Sequence, residues 1–93
     1  MKDTVTIGYT SKGARVWLQS LESKGFLSAQ RYDVHMDNNT ILIKFCKDGK
    51  RKLCPAKGGI VDIVGKKVSL WAGGQTEAEV TYCPSYGIIT VDI

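Results

Sequence analysis

The segment Arg31–Cys46, RYDVHMDNNTILIKFC, constrains the fold more than any other part of the chain. It alternates apolar and polar residues on both sides of Asn38-Asn39, a pair that accepts the positive φ of a two-residue turn. Counting outward from that turn sets a register. Met36 faces Ile41, Val34 faces Ile43 and Tyr32 faces Phe45, all on one side. His35 then faces Leu42, and Asp33 faces Lys44, on the other. A slip of one residue would carry every apolar side chain to the polar face, so the pattern itself specifies the pairing. One hairpin is marginal alone and needs more strands to cover its apolar face.

The rest of the chain offers them. Thr4–Tyr9 alternates as a strand, Thr10–Gly13 reads as a turn, and Ala14–Trp17 is a short extended piece or, alternatively, the first turn of a helix. Leu18–Lys24 has helical spacing, with Leu18, Leu21 and Phe26 on one side and Gln19, Glu22 and Lys24 facing water. Gly25 stands where a helix stop needs positive φ. Two turns are too few for a free helix, so this one needs tertiary packing. Beyond the hairpin, Asp48-Gly49 signals another turn. A strict two-residue loop there puts Lys52 opposite Phe45, which a longer loop or an edge strand over 50–54 would avoid. After the Pro55–Gly59 break, Ile60–Val64 and Lys67–Trp71 read as a hairpin about Gly65-Lys66. In that register Val61 faces Leu70, Ile63 faces Val68, and Trp71 lies on the opposite face, exposed or at an interface. A last hairpin joins Ala78–Tyr82 to Ile88–Ile93 through Pro84-Ser85, with Val80 and Val91 inward. The count is seven or eight strands and one short helix: a mainly β, β-rich α+β chain, arranged as a small barrel or swapped-hairpin-like domain.

Ninety-three residues make a single domain, 1–93, and the 43% apolar fraction is ordinary for a globular chain. No apolar run reaches 18 residues and no h-region follows Met1–Val5, so neither a membrane span nor a secretory signal is expected. Cys46, Cys54 and Cys83 fit no common zinc spacing and read as reduced thiols of a cytoplasmic protein; a Cys46–Cys54 bridge across a hairpin is the alternative. Ser11–Val16 (SKGARV) resembles Ala56–Val61 (AKGGIV), which divides the chain into halves, 1–46 and 47–93, that could repeat one another.

Thirteen Lys and Arg against nine Asp and Glu leave a net charge of +4, a surplus that suits polyanion partners or simple solubility. Lys44, Lys47, Lys50, Arg51 and Lys52 fall within nine residues, offset only by Asp48. On a hairpin tip they could grip phosphates; lysines at a strand edge also guard against edge-to-edge pairing. Tyr9, Trp17, Tyr32, Trp71, Tyr82 and Tyr86 are candidates for core, interface or base stacking, with Tyr32 assigned to the core by its pairing with Phe45. His35, the only histidine, has Asp33 two residues away on the same face but no nucleophile motif beside it. Gly58-Gly59 and Gly73-Gly74 have no phosphate-loop pattern. No catalytic constellation, metal set or cofactor motif emerges.

Several short motifs carry a resemblance. Gly13, Arg15, Val16, Leu21, Gly25, Phe26, Val34 and Thr40–Ile43 together resemble the AbrB-type swapped-hairpin domains. Val5–Lys12 and Leu21–Phe26 are similar to the SymE-like branch of that family. The resemblance covers the first half. It implies two hairpins interleaved in a small barrel, as a homodimer or as tandem copies in one chain, with a homodimer the expectation here, and binding to DNA or RNA by a transcriptional regulator or a toxin of toxin–antitoxin type. Arg15 matches a family DNA-contact position, whereas the family's helix arginines are replaced by Glu22, Ser23 and Lys24. Lys12 and Arg15 therefore join the 44–52 cluster as nucleic-acid candidates. A second reading is a phage or mobile-element module that binds and inhibits a host protein, with Trp71, Tyr82 and Tyr86 as its surface.

Overall fold

The hairpin forms with the register counted from Asn38-Asn39 and lies in the larger of two antiparallel sheets. The computed structural model describes residues 1–26 and 31–93. Among these it has strands β1 (Lys2–Thr6), β2 (Gly8–Thr10), β3 (Gly13–Leu18), β4 (Arg31–Met36), β5 (Thr40–Phe45), β6 (Arg51–Lys52), β7 (Val61–Gly65), β8 (Glu77–Cys83) and β9 (Ile88–Asp92). One α-helix, α1 (Lys66–Ala72), and three single 3-10 turns complete the described residues. Six strands pair in the order β1-β8-β9-β5-β4-β6, and three in the order β2-β3-β7.

The core lies between the inner faces. Val16, Ile41, Ile43, Val61, Val80, Ile89 and Val91 are fully buried. Each such side chain stabilises the fold by about 1.5–3 kcal/mol relative to exposure. Tyr32 and Phe45 meet as predicted, with ring centroids 5.5 Å apart, and Phe26 closes on Phe45 at 4.9 Å. Helix α1 covers β3 with Val68, Trp71 and Ala72.

The predicted barrel does not form, because neither sheet closes on itself. The strand expected over Thr4–Tyr9 is broken at Ile7, where the chain leaves one sheet and enters the other. Ile7 is buried at that corner, its N–H donating to the Thr76 carbonyl at 2.8 Å. The edge alternative holds for the basic segment: β6 pairs with β4 at the rim of the large sheet, Tyr32 beside Arg51, instead of returning along β5.

Two helix assignments exchange places. Leu18–Lys24 is not a helix: β3 runs on to Leu18, Ser20 takes positive φ, and only Glu22–Lys24 makes a 3-10 turn. Leu18, Leu21 and Phe26 are nevertheless all buried, and Gly25 does close the turn with φ 96°. Conversely, the predicted strand Lys67–Trp71 is α-helical. Its buried residues recur at 68, 71 and 72, the spacing of a helix face, and Gly73 caps it in the left-handed conformation. Leu70, expected inward opposite Val61, is therefore 83% exposed, and Trp71 only 6% exposed.

Two ladders join the first half of the chain to the second. Hairpins β4–β5 and β8–β9 abut through antiparallel β5 and β9, with Ile43 opposite Ile89. Strands β3 and β7, which overlap the two similar segments, also pair antiparallel, with Val16 opposite Ile63 at the middle of the ladder and Trp17 opposite Asp62 one step along. Aligning SKGARV with AKGGIV, and extending it by one residue, matches Trp17 to Asp62, a pair one step from the centre of that ladder.

Candidate nucleic-acid interface

Asp33 organises the basic segment. Its side chain points to the outer face of β4, where the register predicts it. It does not serve His35 as an acid–base partner but accepts a hydrogen bond from the Lys50 N–H at 2.9 Å and one from the Cys46 thiol at 3.6 Å. The chain leaving β5 therefore folds across the start of β4. Gly49 is pressed so closely there that a Cβ would lie 2.5 Å from the Tyr32 nitrogen, which is why glycine stands at this turn. The Arg31 guanidinium reaches the Gly49 carbonyl at 3.5 Å, and the Cys46 N–H donates to the Arg31 carbonyl at 2.9 Å. With the loop held, Arg31, Lys44, Lys47, Lys50, Arg51 and Lys52 are all exposed along one corner of the sheet.

The bond from the Lys50 N–H, aided by the Cys46 thiol and nearby positive charge, holds the Asp33 carboxyl below its usual range. Partial burial and the bond to Asp33 push the Cys46 thiol up, so it stays a protonated donor. A group whose folded-state pKa is depressed contributes above its unfolded value and loses that contribution as pH falls through the folded value. The Lys50 amide is accordingly expected to keep its tie to Asp33 down to about pH 4 and to lose it below, with a midpoint under the ordinary aspartate value of about 3.9. An NMR titration of that amide between pH 6 and 2 measures this. A midpoint at or above the ordinary value would remove Asp33 from the role, and Asp33→Asn should abolish the titration.

Arg15 and Lys12 stand on the other sheet. Arg15 is not a free cation: its Nε and Nη2 donate to the two Asp62 carboxylate oxygens, each at 2.8 Å, and its guanidinium lies 4.5 Å from the Trp17 ring centroid. The Trp17 Nε1–H is held by Gln19 at 3.1 Å. Bidentate pairing and stacking fix the arginine in one orientation. Lys12, Ser11, Thr10 and Val64 complete a shallow groove of about 290 Å³ beside this pair. Arg51 and Asp62 both act on the Tyr32 phenol, whose pKa is raised chiefly by burial.

Of the aromatic residues assigned to a partner surface, Trp71 and Tyr82 are core residues, 6% and 5% exposed, and only Tyr86 is at the surface, at 78%. Trp71 turned inward with the helix, and Tyr82 lies on the inward alternation of β8. Sequence reasoning missed Arg31 and the loop role of Asp33. The register did carry a signal for both, since it places them on the outer face beside Lys44. Asp62 as the Arg15 partner had no local signal, being 47 residues away. The cysteines are free thiols. Among the described residues no group of three or more His, Cys, Asp or Glu could hold a metal ion, and no helix is long and apolar enough to cross a membrane. The chain matches no protein-family model, no curated protein and no solved structure.

Proposed function

We propose that this chain is a non-catalytic nucleic-acid-binding module that grips phosphates with the basic corner of its larger sheet. The observation that carries the reading is the Asp33-anchored loop, which delivers Lys47, Lys50, Arg51 and Lys52 beside Arg31 and Lys44 with its own carboxylate already engaged. A regulator or toxin of AbrB or SymE kind fits this chemistry. The pairings of β5 with β9 and β3 with β7 favour tandem copies in one chain over a homodimer, so a solution mass near 10.2 kDa is expected. The test is binding to labelled DNA and RNA across a salt series, with the mass measured in the same run. Log affinity should fall linearly with log salt, with a slope of about −0.7 per phosphate contact on single strands. No binding at about 50 mM salt, where phosphate contacts are strong, sinks the reading.

The second reading, a module that inhibits a host protein, has its own supporting observation. Leu70 stands 83% exposed on α1 at a groove of about 250 Å³ shared with Met36, Lys67 and Trp71. A leucine side chain has no donor to offer a phosphate, and an apolar contact at the centre of a protein interface is the use open to it. Retention of a protein partner after charge reversal at the basic corner, with loss after Leu70→Asp, would favour it.

A further inference from the structure

We propose that Tyr86 is a base-stacking residue and that the polyanion taken by the basic corner is single-stranded. The inference rests on the phosphate-gripping reading above and names its substrate.

Tyr86 sits on the turn Pro84–Tyr86 between β8 and β9, and its side chain is 78% exposed. Nothing in the turn requires an aromatic there. Pro84 opens it, and Gly87 closes it with φ 65° and an N–H donated to the Pro84 carbonyl at 3.1 Å. The turn is tied to the basic corner: Lys44 pairs with Ile88, and the Phe45 N–H donates to the Gly87 carbonyl at 2.8 Å, immediately before the loop that carries Lys47 and Lys50. An exposed ring is thus carried on a braced support beside exposed cations, the combination by which non-specific single-strand binders hold bases and backbone together.

Register extends the argument across the sheet. Cys83, Ile88, Lys44 and Asp33 lie in one row over β8, β9, β5 and β4, with Arg31 and Lys52 paired one step further out. Tyr86 and the cations therefore share one end of the strands. The other end of the same outer face carries more carboxylates than cations: Asp92 is opposite Thr40 and bonded to it at 2.5 Å, Glu79 is opposite Asp92 and paired with Lys2 at 3.4 Å, and Glu77 and Asp37 lie beside them. A polyanion is confined to a path across the strands, from the β8–β9 turn to β6, on the order of 15 Å at the usual strand spacing. One backbone fits that path. A duplex on this face would bring its second backbone toward the carboxylates, and its stacked bases would offer Tyr86 no free face.

The experiment compares a labelled single-stranded oligonucleotide with the duplex of equal length at about 50 mM salt, using wild type, Tyr86→Ala and Tyr86→Phe. All three should melt alike, the site being exposed. Wild type should prefer the single strand. Tyr86→Ala should lose roughly 5- to 100-fold in single-strand affinity with its salt slope unchanged, while Tyr86→Phe keeps the affinity. Full single-strand affinity in Tyr86→Ala, or equal affinity of wild type for duplex, overturns the stacking inference and leaves the phosphate grip standing. No binding of either nucleic acid by wild type overturns both.

Discussion

Gly13→Ala is expected to lower stability by about 3–4 kcal/mol and the melting temperature by roughly 15–25 °C. Two independent effects add at this position. Gly13 has φ +126°, a conformation an L side chain adopts only under strain. A Cβ there would also lie 2.5 Å from the Gly65 carbonyl oxygen, 2.6 Å from its carbon and 2.9 Å from the Ser69 hydroxyl. Two of those three atoms are backbone, and the third is committed. The Ser69 Oγ accepts the Ala14 N–H at 2.7 Å and donates to the Gly65 carbonyl at 3.3 Å, joining α1 to the start of β3. Relieving the clash must pull β3 from β7 or lift α1, and either exposes Val68, Ala72 and the buried Ala14. Gly74→Ala separates the two effects. Its φ is also positive, at +85°, but a Cβ there meets nothing within 4 Å, so it should cost about 1 kcal/mol from strain alone. Thermal unfolding of both variants measures the difference. A Gly13→Ala protein within about 1 kcal/mol of wild type would show that the contact between β3 and α1 yields freely.

The same contact explains what could and could not be read along the chain. The hairpin of β4 and β5 was legible to the residue, because its pairing is set locally by period-two alternation around Asn38-Asn39. The hairpin of β8 and β9 was legible for the same reason, with Val80 opposite Val91. Helix α1 was not. In KKVSLWA, Val68 and Leu70 alternate like strand residues, and the helical set of Val68, Trp71 and Ala72 is equally present in the letters. What selects the helix is tertiary: β7 ends at Gly65 against Gly13, and β3 leaves its flank open to cover. Leu18–Lys24 is the reverse case, since Leu18 is claimed by the ladder with Val61 before a helix can start. Charge spacing exposed the cations of the site at once. Their arrangement depends on Asp33 and Gly49, whose roles exist only after the chain has crossed β4. The Arg15–Asp62 pair joins the two halves across 47 residues, and no local pattern in either segment pairs β3 with β7.

Changing Lys47, Lys50 and Lys52 together to glutamate should weaken nucleic-acid binding at least 100-fold at about 50 mM salt, with folding intact. All three side chains are exposed, and what ties Lys50 to Asp33 is its backbone N–H, which any residue but proline supplies. If six cations touch phosphate, the single-strand salt slope is about −4; removing three should bring it to about −2. Affinity lost at low salt should therefore shrink as salt rises. The decisive comparison is a triple reversal elsewhere, at Lys57, Lys66 and Lys67. Both triple variants move the net charge from +4 by the same six units, to −2. They differ only in place, since Lys66 and Lys67 begin α1 and Lys57 lies in the turn before β7. A glutamate in the first turn of α1 also favours the helix dipole, so the control is not expected to unfold. If affinity follows net charge, the two variants fall together and the basic corner has no special standing. If it follows the corner that Asp33 builds, the control stays within several-fold of wild type while the first variant is lost. That outcome would tie the activity to the geometry of one loop, since composition is the same in both.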